Sequence, residues 1–320
     1  GRGWVLRWGR ERVRPRLFEE LQSRAMNASH PLDAAAAWLA SRRSVVAVLV
    51  PLVGAGGFIL ERLLGRVAWT EAVPALEAVA AGLRAANRFP PLLVAANVAM
   101  ALPLVLGLRR VWDRRSLVGV ILLALWSYLI EGIGVRTGWP YGQFQYALGL
   151  EPLLLGLVPA ALPLFWLPMV FSSRLLASRL LSGPLAAGTG RPPRSPWSLL
   201  LLSTLLLVLL DAVLDPPAVG VGFWAYAVRG VYYGVPISNY LGWCFSSLVA
   251  QGLLLVTVPE ARLRSARPEG FSMDSLRAFL LFWGLVAAAL GQVIPGLLAL
   301  ALAGLERHLG QQREAITLDT

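Results

Sequence analysis

The sequence predicts an all-α integral membrane protein, a polytopic helical bundle of about seven transmembrane helices with the N-terminus inside and the C-terminus outside. Three observations carry this prediction. Of the 320 residues, 57% are hydrophobic and only 15% are charged, against about 45–50% and about 25% in an ordinary soluble domain. The apolar residues come in blocks, many near the ~20 residues that cross a hydrocarbon core about 30 Å thick. The arginines sit in short stretches between those blocks, where they set topology.

The elements follow in chain order. Residues 1–43 form an arm with nine arginines and no cleavable signal-peptide pattern. Its mixture of Trp, Leu and Arg (WVLRWGRERVRPRLFEEL) suits the anionic inner surface of a membrane or a solvated tail equally well. Asn27-Ala28-Ser29 matches a glycosylation sequon, a chance match in a cytoplasmic arm. A single transmembrane domain, 44–304, follows, with spans expected at 44–61, 90–108, 116–135, 152–173, 197–214, 235–258 and 276–304. The last is long, with a kink expected at Pro295, and too short for two full crossings. The stretch 218–234 (AVGVGFWAYAVRGVYYG) is too short to cross and suits an interfacial or re-entrant segment. Residues 305–320 make a short polar tail.

Orientation follows from charge. Twenty arginines fall on the side of the N-terminal arm and eight on the other, with Arg277 at a boundary. That asymmetry puts the N-terminus inside, and an odd number of spans then puts the C-terminus outside. The expected location is the cell membrane of a bacterium. The net charge of +11 is made of arginine without one lysine. We read this as the codon bias of a GC-rich genome, not as a nucleic-acid surface.

Several chemistries drop out. Cys244 is the lone cysteine, so no intramolecular disulfide forms. His30 and His308 lie near opposite ends with no ligand spacing, so no metal site is expected. There is no Walker loop, dinucleotide fingerprint or nucleophile elbow, and nothing asks for a cofactor. Asn97, Gln251 and Gln292 are expected to hydrogen-bond between helices.

The carboxylates near the spans stand out, because lipid-embedded acids are costly and usually functional. Glu131 ends the third span (LLALWSYLIEGIGV). Asp211 and Asp215 end the fifth (LLLVLLDAVLDPP), four residues apart and so on one helix face. A helix break is expected at Pro216-Pro217. On the same side lie RTGWPYGQFQY (136–146) and YYGVPISNY (232–240). Any one of these acids is as readily an interfacial residue, and span-end Tyr and Trp are more often belt anchors. Glu61, a fourth acid at that end, is adjacent to Arg62 and expected to pair with it. Convergence of three acids and two aromatic loops at one level is what favours a site.

Two segments carry a resemblance. EGIGVRTGWPYGQFQYALGLEPLLLGLVPAALPLFWL (131–167) and DAVLDPPAVGVGFWAY…GVYYGVPISNYLGW (211–243) resemble the CruF-type carotenoid biosynthesis membrane proteins. The first shares a Glu, a Thr-Gly-aromatic-Pro-aromatic-Gly turn, a Tyr and a Pro-interrupted apolar helix. The second shares Asp-x-x-x-Asp-Pro and a Tyr-Tyr-Gly-x-Pro-x-x-Asn-x-x-Gly-Trp turn. Tyr141-Gly142 stands where the family pattern has Phe-Gly, a harmless departure. The resemblance implies a hydratase that adds water across a terminal double bond of an acyclic carotenoid end, without a cofactor. It implies a carotenoid substrate within the bilayer, lipids around the chain, and other carotenoid enzymes as possible partners.

That chemistry needs a carboxylic acid to protonate the alkene, a carboxylate to take a proton from attacking water, and aromatic faces to stabilise the cation between. Glu131, Asp211 and Asp215 are the candidate catalytic groups. Trp139, Tyr141, Tyr146, Trp224, Tyr232, Tyr233 and Asn239 are the candidate substrate-binding residues. A small-solute or proton-coupled carrier is the competing class, but paired half-helices do not recur in two halves of the chain. A carotenoid isomerase working through the same cation is a third possibility.

Overall fold

The computed structural model describes residues 31–43, 45–64, 74–87, 89–109, 112–146, 150–182, 195–259, 263 and 272–318. The sequon, His30 and most of the N-terminal arm lie outside these residues. Helix α1 (Pro31–Ser41) precedes a π-turn (Val45–Leu49) that runs into α2 (Val50–Leu64). Next come α3 (Pro74–Asn87), α4 (Pro90–Gly107) and α5 (Arg114–Thr137), the last capped by Asp113, which accepts from the Ser116 N–H at 2.9 Å. Then follow α6 (Leu162–Ser182), α7 (Pro196–Val221), α8 (Ile237–Thr257), α9 (Asp274–Ala289) and α10 (Val293–Leu318).

The protein is a multi-pass helical membrane bundle. Among the described residues six helices are long and apolar enough to cross a bilayer, or seven if α3 and α4, bent by 58° at their junction, count as one span. The first expected span coincides with the π-turn and α2 together, and the second, third and sixth with α4, α5 and α8, to within a few residues.

Three expectations are corrected. The span expected at 152–173 begins at Leu162, ten residues later, and runs to Ser182. The apolar stretch before it folds as a small hairpin of strands β2 (Leu153–Leu154) and β3 (Val158–Pro159), which hydropathy alone cannot distinguish from a helix. Arg174, expected in the following loop, is consequently wholly buried within α6.

The fifth span does not break at Pro216-Pro217; α7 continues to Val221. Pro216 has no N–H for the Ala212 carbonyl one turn back. The Tyr232 hydroxyl donates to that carbonyl instead, at 3.3 Å, so a group that proline orphans inside the membrane is satisfied by another element.

The segment 276–304 is two helices, not one kinked span. Gly291, at φ +73°, ends α9. The Gln292 N–H reaches back to the Ala287 carbonyl at 2.9 Å, the 6→1 bond of a Schellman cap. Pro295 falls in the first turn of α10, where its missing N–H costs nothing. The two helices pack antiparallel: a Cβ on Gly284 would lie 2.9 Å from that of Ala299, and Arg277 pairs with Glu306 at 2.8 Å. Arg43 and Arg277 both bind Asp274 at 2.6 Å, and Arg179 joins Glu306 at 3.1 Å. Glu306 therefore lies at the same end of the bundle as Arg43.

Of the polar residues expected between helices, Gln251 in α8 donates to the Val170 carbonyl and Ser173 Oγ of α6 at 3.0 and 2.9 Å. Gln292 donates to the Pro216 carbonyl at 2.9 Å. Asn97 instead bonds the Leu93 carbonyl of its own helix, at 2.8 Å.

Candidate active site

At the end of the bundle opposite the Arg43–Glu306 network, two loops close over α5, α6, α7 and α8. One follows α5 and holds strand β1 (Phe144–Tyr146); the other follows α7 and holds β4 (Trp224–Tyr226). The strands pair antiparallel, with Phe144 opposite Tyr226 and Tyr146 opposite Trp224. Strand side chains alternate, so these four aromatics share one face while Gln145 and Ala225 face away. Ring centroids of the two cross-strand pairs lie 5.8 and 6.2 Å apart. The stretch expected as interfacial or re-entrant is thus helix to Val221, then half of an aromatic ribbon.

The ribbon covers a cavity whose walls include Glu131, Asp215, Tyr141, Tyr146, Trp166, Trp224, Tyr226, Asn239 and Trp243. Glu131 is buried on α5. Its Oε1 accepts from Trp166 Nε1 at 3.3 Å and its Oε2 from the Tyr146 hydroxyl at 3.2 Å. On α7, Asp211 and Asp215 point the same way, as their spacing requires, and Asn239 Nδ2 of α8 bridges them. It lies 3.0 Å from Asp211 Oδ2 and 2.6 Å from Asp215 Oδ2. The Tyr226 hydroxyl donates to the same Asp215 oxygen at 2.7 Å. No donor among the described residues reaches the buried Asp211 Oδ1. Asp215 lines the cavity; Asp211 stands behind it.

Tyr141 is held by two close approaches. A Cβ at Gly134 of α5 would come within 2.8 Å of its ring, and one at Gly242 of α8 within 2.5 Å. Burial, followed by the nearby carboxyls, pushes the hydroxyls of Tyr141, Tyr146 and Tyr226 well above the ordinary tyrosine value. Tyr146 and Tyr226 therefore remain O–H donors, to Glu131 and Asp215 respectively. Trp166 and Trp243 stack at 4.8 Å between centroids and 25° between planes.

Of the residues singled out from the sequence, Glu131, Asp211, Asp215, Tyr141, Tyr146, Trp224 and Asn239 come together here. Trp139, Tyr232 and Tyr233 do not line the cavity. Trp139 is exposed and packs on Phe245 at 5.1 Å between centroids. Tyr232 supports α7, and the Tyr233 hydroxyl accepts from the Ile294 N–H at 3.3 Å. Both hold the scaffold. Sequence reasoning missed Trp166, Tyr226 and Trp243 as wall residues. All three sat within the two segments that carry the resemblance, Trp166 in the first and Tyr226 and Trp243 in the second, so that membership was the signal that could have found them.

Residues 89–305 match the family described as carotenoid biosynthesis protein. The chain is also similar to the bisanhydrobacterioruberin hydratase of Haloarcula japonica, with 45% identity over 209 residues covering 64% of this chain and 68% of that protein. No solved structure matches it. The matched residues contain every acid of the cavity.

Proposed function

The chain belongs to the carotenoid biosynthesis protein family, and from that premise we propose that it is a carotenoid hydratase. It adds water across the terminal 1',2' double bond of an acyclic carotenoid end to give a tertiary alcohol. One observation carries the reading: two carboxyl systems, Glu131 and the Asp211–Asp215 pair, meet in one aromatic-walled cavity of a membrane bundle.

The hydrogen bonds support an assignment of roles. Like charges held this close in a dry site do not both ionise, so the aspartate pair holds a proton. Asp215 takes both of its donors on Oδ2, leaving Oδ1 for that proton. Asp215 gives it to the less substituted alkene carbon, the π electrons form the new C–H bond, and a tertiary cation remains. The stacked Trp166–Trp243 faces and the tyrosines stabilise that cation. Glu131, whose two oxygens each accept a donor, so that neither is left for a proton, is the ionised partner. It takes a proton from water as the water oxygen bonds the cation. Transfer of a proton back to Asp215 completes addition of one water, with no change of oxidation state and no call for a redox cofactor.

The direct test uses membranes of cells that express the chain and an acyclic carotenoid. Extracted pigment should shift to higher polarity and gain the mass of one water. A shifted pigment of unchanged mass would indicate isomerisation and contradict the reading.

We also propose a cell-membrane location with both ends on the cytoplasmic side. The arginine asymmetry supports this for Arg43, and the ion pairs carry Glu306 to the same end. Arg307 and Arg313 then join the Arg-rich side. A reporter active only in the cytoplasm, fused after Thr320, should be active; a silent reporter would contradict the paired-end arrangement.

A further inference from the structure

The most exposed large apolar side chains of the described residues are not on the helices but on the loops that cover the cavity. Leu155, at the tip of the β2–β3 hairpin, is 95% exposed, and Val231 and Val228, after β4, are 89% and 75% exposed. The highest value on a helix is 70%, at Leu300. Both loops grow from the cavity wall: Leu150 and Pro159 flank the hairpin, and Trp224 and Tyr226 precede the second tip. Leu155 holds φ +52°, a left-handed conformation that glycine would adopt without strain. What the position supplies is therefore the leucine side chain.

We propose that this cap is immersed in the lipid leaflet, with Leu154, Leu155, Val228 and Val231 among acyl chains, so that a lipid-dissolved polyene reaches the cavity without crossing water. The occupant of the apolar surface is lipid because that surface continues the belt of the spans. Ile237 and Leu241, exposed on the first turns of α8, join the second tip to the lipid-facing side of the bundle. Arg229, exposed between Val228 and Val231, has the length to return its guanidinium to the phosphates while its stem stays apolar. The depth of the cap stands on exposure alone; the substrate route rests on the hydratase reading.

The test uses the full chain in phosphatidylcholine–phosphatidylglycerol vesicles, in a Cys244→Ser background. A nitroxide is attached at Leu155→Cys or Val231→Cys. Collision with lipid-dissolved oxygen should dominate over collision with a water-soluble nickel chelate, as at a Leu300→Cys reference. Nickel dominance would put the tips in water, and low collision with both would put a second copy or another protein over them. Either result overturns the proposal. Conversion by the double variant Leu155→Asp/Val231→Asp supplies the second measurement. Charges placed in lipid are costly, so the rate on a long acyclic carotenoid in vesicles should fall about tenfold. The rate on a short acyclic prenyl substrate dispersed in detergent should stay within about twofold of the parent, because the acids are untouched. Equal losses on both substrates would overturn the route while leaving the hydratase reading intact.

Discussion

Asp215→Asn is expected to lower hydration by about 10²–10⁴-fold, the usual contribution of a general acid, while expression and detergent stability stay near those of the parent. The amide keeps the size of the carboxyl and can turn its oxygen toward Asn239 Nδ2 and the Tyr226 hydroxyl, which lie 2.6 and 2.7 Å from Asp215 Oδ2. It has no proton to give an alkene. The step lost is the first, so the variant should also fail to exchange deuterium from heavy water into unreacted substrate. Asp211→Asn should be milder on both readouts, because Asp211 meets the cavity only through Asn239 and Asp215. Exchange at the parental rate in Asp215→Asn would remove it as the acid.

Glu131→Gln should lower net hydration by a similar ~10²–10⁴-fold but through the second step. The amide oxygen can accept from Trp166 Nε1, and the amide nitrogen can face Tyr146 Oη, so the wall is preserved. With Asp215 intact, the alkene is still protonated and the cation still formed. Lacking a base for water, the cation rotates about the bond to its newly protonated carbon and loses either of that carbon's two hydrogens to Asp215. Deuterium should therefore enter recovered substrate in heavy water while little alcohol forms. Loss of exchange together with hydration would assign Glu131 to the proton-donating step instead.

How far the sequence reveals this protein depends on the range of the interactions involved. Spans are local, so their hydropathy is legible, and so is the i, i+4 placement of Asp211 and Asp215. Where apolar segments fold as something other than one straight helix, hydropathy misleads. The Gly291 turn lies inside a run as apolar as a span, and EPLLLGLVPAALP hides a hairpin. The carbonyl that Pro216 orphans in α7 is met by Tyr232, sixteen residues on, which no local rule foresees. The ribbon is harder still. Its three-residue strands are about eighty residues apart in sequence, and their pairing alone brings Tyr226 onto Asp215. Trp166 reads as one more core aromatic until Glu131 is seen at 3.3 Å from its indole nitrogen.

The most direct measurement is the reaction of purified protein with an acyclic carotenoid in heavy water. The account predicts a tertiary alcohol that has gained one water and carries at least one non-exchangeable deuterium on the carbon beside the carbinol. An alcohol without deuterium at that carbon, or a product isomeric with the substrate, would contradict it.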